Sequence, residues 1–107
     1  MFEFIETPFF RKAVLRYLSD DEYAHLQIHL SANPEAGALV PGAGGVRKLR
    51  WGVSDRGKRG GLRVIYYLRT RQGQIWLLTL YGKNVQENIP AHLLKQMKEA
   101  IDHGEDD

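Results

Sequence analysis

The sequence predicts an α+β fold: one strand, two helices, three strands and a C-terminal helix, in that order. Three observations carry this. Residues 46–53, 62–70 and 74–81 are strand-like segments in succession, which favours an antiparallel-rich sheet. Two helix-start signals, Thr7-Pro8 and Ser19-Asp20-Asp21-Glu22, come before them. After Pro90, Leu93, Leu94, Met97 and Ile101 recur on one helical stripe. The chain has 107 residues, enough for one core, so residues 1–107 are expected to form a single domain.

Each element has a local reason. Residues 2–10 are rich in aromatics and begin as a strand. Thr7 as N-cap and Pro8 at the first helical position then open a helix, with Phe9, Ala13, Leu15 and Leu18 as its expected buried face. The pattern S-x-x-E at Ser19–Glu22 opens a second helix, running from about Asp20 to Ala32 with Tyr23, Leu26 and Leu30 inward. Asn33-Pro34 stops it. Residues 34–45 hold two prolines and four glycines and read as a loop. In the next strand Lys48 and Arg50 face one way, and Leu49, Trp51 and Val53 the other. A basic glycine-rich connection, 55–61, leads to the strand 62–70. Gln72-Gly73 turns the chain into the strand 74–81. The acidic end, 104–107, reads as a frayed tail.

Composition narrows the chemistry. A hydrophobic content of 43% with 10% aromatics fits a globular fold. There is no apolar run of about 18 residues, so no membrane helix is expected. The first residues lack the basic-then-apolar pattern of a signal peptide. Cysteine is absent, which excludes disulfides and thiolate metal sites and fits a cytoplasmic location. Charge is sharply divided. Residues 47–71 hold nine of the fifteen Lys and Arg against one acid, Asp55, a net of +8. The other 82 residues carry six basic and twelve acidic side chains, a net of −6. Such a concentration attracts polyanions and speeds their association. Because the basic residues lie among strand residues, a folded sheet is expected to hold them against phosphate.

Lys48 and Arg50 share a strand face, and Arg63 opens the neighbouring strand. Lys58 and Arg59 lie in the connection, and Lys83 follows the last strand. These cations could converge on one patch, Arg as a bidentate fork and Lys as a point charge or proton carrier. The bland alternative is a solvated sheet face. The loops at 42–45 and 57–61 could offer backbone N–H groups to phosphate, but neither has a Walker or dinucleotide-binding spacing. Ordinary turn glycines suffice for the first. Tyr66, Tyr67, Trp76 and Tyr81 interleave with the basic strands, where rings can stack on bases. At least two of the four are expected in the core, with Tyr81 at the cleft edge. His25 and His29 have an i, i+4 metal spacing but no evident third ligand, so no metal site is expected. Neither a Ser-His-Asp arrangement nor paired carboxylates can be drawn in the basic region.

Three segments resemble the RelE/HigB toxins of bacterial type II toxin–antitoxin modules, on the HigB-like branch: residues 46–51 (V-R-K-L-R-W), 57–67 (G-K-R-G-G-L-R-V-I-Y-Y) and 77–84 (L-L-T-L-Y-G-K-N). The element order matches too, so the resemblance covers nearly the whole chain. It implies a RelE-like fold and a ribosome-dependent endoribonuclease, an mRNA interferase that inhibits translation. It also implies a cognate HigA-like helix-turn-helix antitoxin in a hetero-oligomer. By that resemblance Lys48 and Arg50 take the positions of paired basic residues beside the scissile phosphate. Arg63 matches the arginine opening the next strand, and Lys83 the basic residue after the last. The family's later tyrosine has no counterpart in 84–89, so Tyr81 or a lysine would move the proton. The expected catalytic set is Lys48, Arg50, Lys58, Arg63, Lys83 and Tyr81, with Arg47, Arg56, Arg59 and Tyr67 as further RNA contacts and neither cofactor nor metal. The antitoxin is expected to bind away from the cleft, where Asp20, Asp21, Glu22 and Glu35 present the opposite charge. The rival readings are a ParE-type, non-catalytic DNA gyrase inhibitor of the same fold, and an inactive RNA- or antitoxin-binding module.

Overall fold

The computed structural model describes residues 2–52, 61–83 and 89–104. Among them the elements run β1 (Glu3–Glu6), α1 (Pro8–Tyr17), α2 (Asp20–Ala32), β2 (Ala38–Leu39), β3 (Val46–Trp51), β4 (Leu62–Arg69), β5 (Gln74–Gly82) and α3 (Ala91–Gly104). The five strands form one mixed sheet in the order β1-β5-β4-β3-β2. Strands β2 to β5 pair antiparallel, and β1 lies parallel to β5. The α+β class and the order of the main elements are as the sequence predicts. Strand β2 is an addition. Its two residues pair with Arg47 and Lys48 inside the stretch expected to be loop.

Both N-terminal helices start where the cap chemistry predicts. The Thr7 hydroxyl accepts the Phe10 N–H at 3.1 Å. Ser19 and Glu22 form a reciprocal capping box, with Ser19 N–H to Glu22 Oε1 at 2.8 Å and Glu22 N–H to Ser19 Oγ at 3.1 Å. A cap contributes about 1 kcal/mol. A fully buried Phe or Leu contributes about 1.5–3 kcal/mol, and Phe10, Leu26 and Leu30 are all at 0% exposure. Packing therefore anchors these helices, and the caps fix where they begin. The phase of α1 differs from the expectation. Phe10 and Val14 point inward, while Phe9 is 66% and Leu15 81% exposed. Leu18 and Ala13 do join the core.

The sheet has two cores, one on each face. Phe10, Val14, Leu26 and Leu30 of α1 and α2 pack on Leu49, Leu62, Val64, Tyr66, Ile75, Leu77 and Leu80. On the other face Leu94 of α3 joins Val46, Ile65 and Leu78, with Met97 and Ile101 beside them. Leu93 is 42% exposed and falls off the stripe. Tyr66 is fully buried, and its hydroxyl is satisfied twice. It donates to the Pro34 carbonyl at 2.7 Å and accepts the Gly37 N–H at 2.9 Å. The backbone at Gly37 lies so close that a Cβ there would stand 2.9 Å from the Tyr66 ring and 3.1 Å from the Lys48 carbonyl. Among the described residues, no helix is long and apolar enough to cross a membrane.

Candidate nucleic-acid interface

Strand alternation decides which basic residues meet. In β3, Leu49 and Trp51 belong to the α1–α2 face, so Lys48 and Arg50 lie on the α3 face. In β4, Leu62, Val64 and Tyr66 take the α1–α2 face, which leaves Arg63 on the other. Register then aligns them. Arg50 stands directly opposite Arg63, and Arg63 directly opposite Tyr81. With neighbouring strands about 4.8 Å apart, the row spans about 10 Å. Lys48 lies two residues along from Arg50 on the same face, about 7 Å away. Arg50 is exposed, and Lys48, Arg63 and Tyr81 are half-buried. Lys83 is exposed at the same end of the sheet, its N–H donating to the Gly61 carbonyl at 3.3 Å.

The tyrosine reaches this row through an irregularity in β5. Ile65 pairs with Thr79, but Tyr66 pairs with Leu77, so Leu78 is an extra residue. Before it, Leu77 belongs to the α1–α2 core. After it, Leu80 does. A regular strand would place residues 77, 79 and 81 on one face. The bulge reverses that parity and sends Tyr81 to the α3 side, where it packs with the second core.

Like charges directly opposite on adjacent strands destabilise a sheet. Arg50 and Arg63 are such a pair. The ion pairs between side chains of the described residues join Arg11 to Glu6, and Arg69 and Lys98 to Asp102; none involves Lys48, Arg50, Arg63 or Lys83. A like-charge arrangement that costs stability, with no carboxylate paired to its lysine and arginines among the described residues, is suited to an anionic ligand. Forked guanidinium groups can each bind a phosphate through two N–H donors.

Other members of the sequence-predicted set sit elsewhere. Arg47 is on the opposite face from Lys48. Its guanidinium donates to the Gly37 carbonyl at 2.7 Å and the Glu35 carbonyl at 3.3 Å, tying the loop before β2 to the sheet. Tyr67 shares the face of Arg63 but lies under α3. Its hydroxyl donates to Asp102 at 3.0 Å, and burial, then the Asp102 hydrogen bond, raise its pKa, so it stays a proton donor. Lys58, Arg56 and Arg59 lie outside the described residues. Arg69 is also part of the +8 stretch, yet it is 8% exposed and pairs with Asp102 at 3.4 Å. Of the nine basic residues in that stretch, the described structure brings together Lys48, Arg50 and Arg63.

Asp102 is the hub that holds α3 to this face. It also pairs with Lys98 at 3.0 Å. Burial opposes its ionisation, but hydrogen bonds from Lys98 and Tyr67 and the charges of Lys98 and Arg69 outweigh that and lower its pKa. Sequence reading missed this group, because Asp102 and Tyr67 are 35 residues apart. The His29 ring packs on Trp51 with centroids 5.0 Å apart. Among the described residues, no three His, Cys, Asp or Glu are grouped to hold a metal ion. No protein-family model matches the chain.

Proposed function

We propose that this chain is the toxin of a type II toxin–antitoxin module, an endoribonuclease that cuts mRNA on the ribosome. The observation that carries the reading is the Arg50–Arg63–Tyr81 row with Lys48 beside it, in which Lys48, Arg50 and Arg63 have no ion-pair partner among the described residues. The resemblance of residues 46–51, 57–67 and 77–84 to RelE/HigB toxins supports the same reading.

The chemistry follows from the row. The RNA 2′-oxygen attacks its own 3′ phosphorus while the bond from phosphorus to the 5′-oxygen breaks. The products are a 2′,3′-cyclic phosphate and a 5′-hydroxyl. Negative charge builds on the non-bridging oxygens, where Arg50 and Arg63 would stabilise it. One preorganised contact of this kind commonly supplies about 10²–10³ in rate. The 2′-OH proton passes to a basic side chain, with Lys48, Lys58 and Lys83 as the candidates. Tyr81, which pairs with Arg63 across the ladder, would protonate the departing 5′-oxygen. The cognate partner is an antitoxin, and the acidic side chains of α2, Asp20, Asp21 and Glu22, offer it a surface away from the row.

Induction of the chain in bacteria tests the reading. Protein synthesis should fall within minutes, and new mRNA 5′ ends should appear only on translated messages. Continued synthesis together with DNA breaks that depend on gyrase would replace this reading with gyrase poisoning.

A further inference from the structure

Thr7 lies at the junction of β1 and α1, outside the proposed RNA-binding row, yet it is bonded to the bulge that sets the face of Tyr81. Its N–H donates to the Leu77 carbonyl at 3.1 Å, and its hydroxyl donates to the Leu78 carbonyl at 2.7 Å. In a regular strand consecutive carbonyls point to opposite sides. Here two in succession meet one residue, and the second belongs to the extra residue of the bulge. A bulge leaves that residue outside the ladder, and a buried carbonyl without a donor is costly. The same Thr7 hydroxyl accepts the Phe10 N–H and so caps α1. One oxygen thus joins the start of a helix on one face to the turn of β5 that aims a side chain at the other.

We propose that Thr7 is a positioning residue: by holding the Leu78 carbonyl it fixes the bulge, and the bulge holds Tyr81 opposite Arg63. The functional part rests on the reading of the row as a ribonuclease site. The structural part stands without it. Serine at this position keeps both hydroxyl bonds. Aspartate keeps the cap, because its carboxylate accepts the Phe10 N–H, but as a carboxylate it has no proton to give Leu78. The pair of variants therefore separates the bulge contact from the cap.

The test compares wild type, Thr7→Ser, Thr7→Asp, Tyr81→Phe and the double variant Thr7→Asp/Tyr81→Phe. Single-turnover cleavage of mRNA on programmed ribosomes gives a rate and a half-saturating protein concentration. Thr7→Asp should lower the rate at least tenfold, leave half-saturation within twofold, and add nothing to the loss caused by Tyr81→Phe. Thr7→Ser should restore the wild-type rate. Contacts between the Tyr81 ring and the Arg63 side chain, read as nuclear Overhauser effects, should persist in Thr7→Ser and weaken in Thr7→Asp. A Thr7→Asp protein that keeps those contacts and cleaves at the wild-type rate overturns the proposal, as does a loss fully additive with Tyr81→Phe. Should wild type itself fail to cleave, the ribonuclease reading falls and the Overhauser contacts alone decide the positioning role. A Thr7→Asp chain that does not fold while Thr7→Ser does would place Thr7 in stability and also overturn it.

Discussion

Replacing Arg63 and Arg47 separately by alanine removes the same charge from adjacent strands but from opposite faces, so the two variants separate the site from the scaffold. Arg63 has no carboxylate partner among the described residues and faces Arg50 across the ladder. Its loss should leave stability unchanged within about 0.5 kcal/mol, since surface changes away from special features stay in that range. Relief of the like-charge pair pushes in the stabilising direction. Catalysis should fall by about 10²–10³, as for one preorganised contact to developing charge. Arg47 donates to two backbone carbonyls, the nearer at 2.7 Å. Hydrogen bonds from charged donors contribute about 1.5–3 kcal/mol each, and solvent can replace part of that at a half-buried site. Arg47→Ala should therefore cost about 1–2 kcal/mol in urea unfolding, while ribosome-bound cleavage by the folded fraction falls less than about fivefold. The assays are equilibrium unfolding and single-turnover cleavage of end-labelled mRNA. If Arg63→Ala folds and cuts like wild type, or Arg47→Ala is stable and inactive, the assignment of faces to roles is refuted.

Two further outcomes follow from the packing. Tyr66→Phe leaves the Gly37 N–H and the Pro34 carbonyl without their shared partner and should cost about 1–3 kcal/mol in urea unfolding; an unchanged midpoint would show that the hydroxyl does not brace this loop. The lowered pKa of Asp102 makes its contribution present above the ordinary carboxylate range and lost as pH falls through the folded value, below about pH 4. Wild type should thus lose stability towards acid more steeply than Asp102→Asn, and parallel curves would contradict the hub.

Much of this arrangement is legible in the sequence because period-2 alternation is local. It puts Lys48 and Arg50 on one face without knowledge of any partner strand. The alignment of Arg63 with Arg50 is a different matter, since the register depends on the connection 52–61, whose glycines fit several turn lengths. The face of Tyr81 follows from an extra residue in a run, Leu77 to Leu80, that reads as an ordinary apolar strand. Arg47 and Arg69 look in sequence like members of the patch. Their partners, the Gly37 carbonyl and Asp102, come from other parts of the chain, so only the fold separates them from Arg50 and Arg63. Helix α1 is legible in its start and not in its phase. Its N-cap is a local signal, whereas the choice between Phe9 and Phe10 is settled by what the helix packs on.

The most direct measurement of the central claim is the chemistry of the RNA ends. Purified protein is mixed with end-labelled mRNA, free or on programmed ribosomes, and the products are tested for their termini. Cleavage is expected on the ribosome, giving a 2′,3′-cyclic phosphate and a 5′-hydroxyl, and it should be lost in Arg50→Ala and Arg63→Ala proteins that remain folded. Intact mRNA on ribosomes exposed to folded wild-type protein, or cleavage that survives both substitutions, would contradict it.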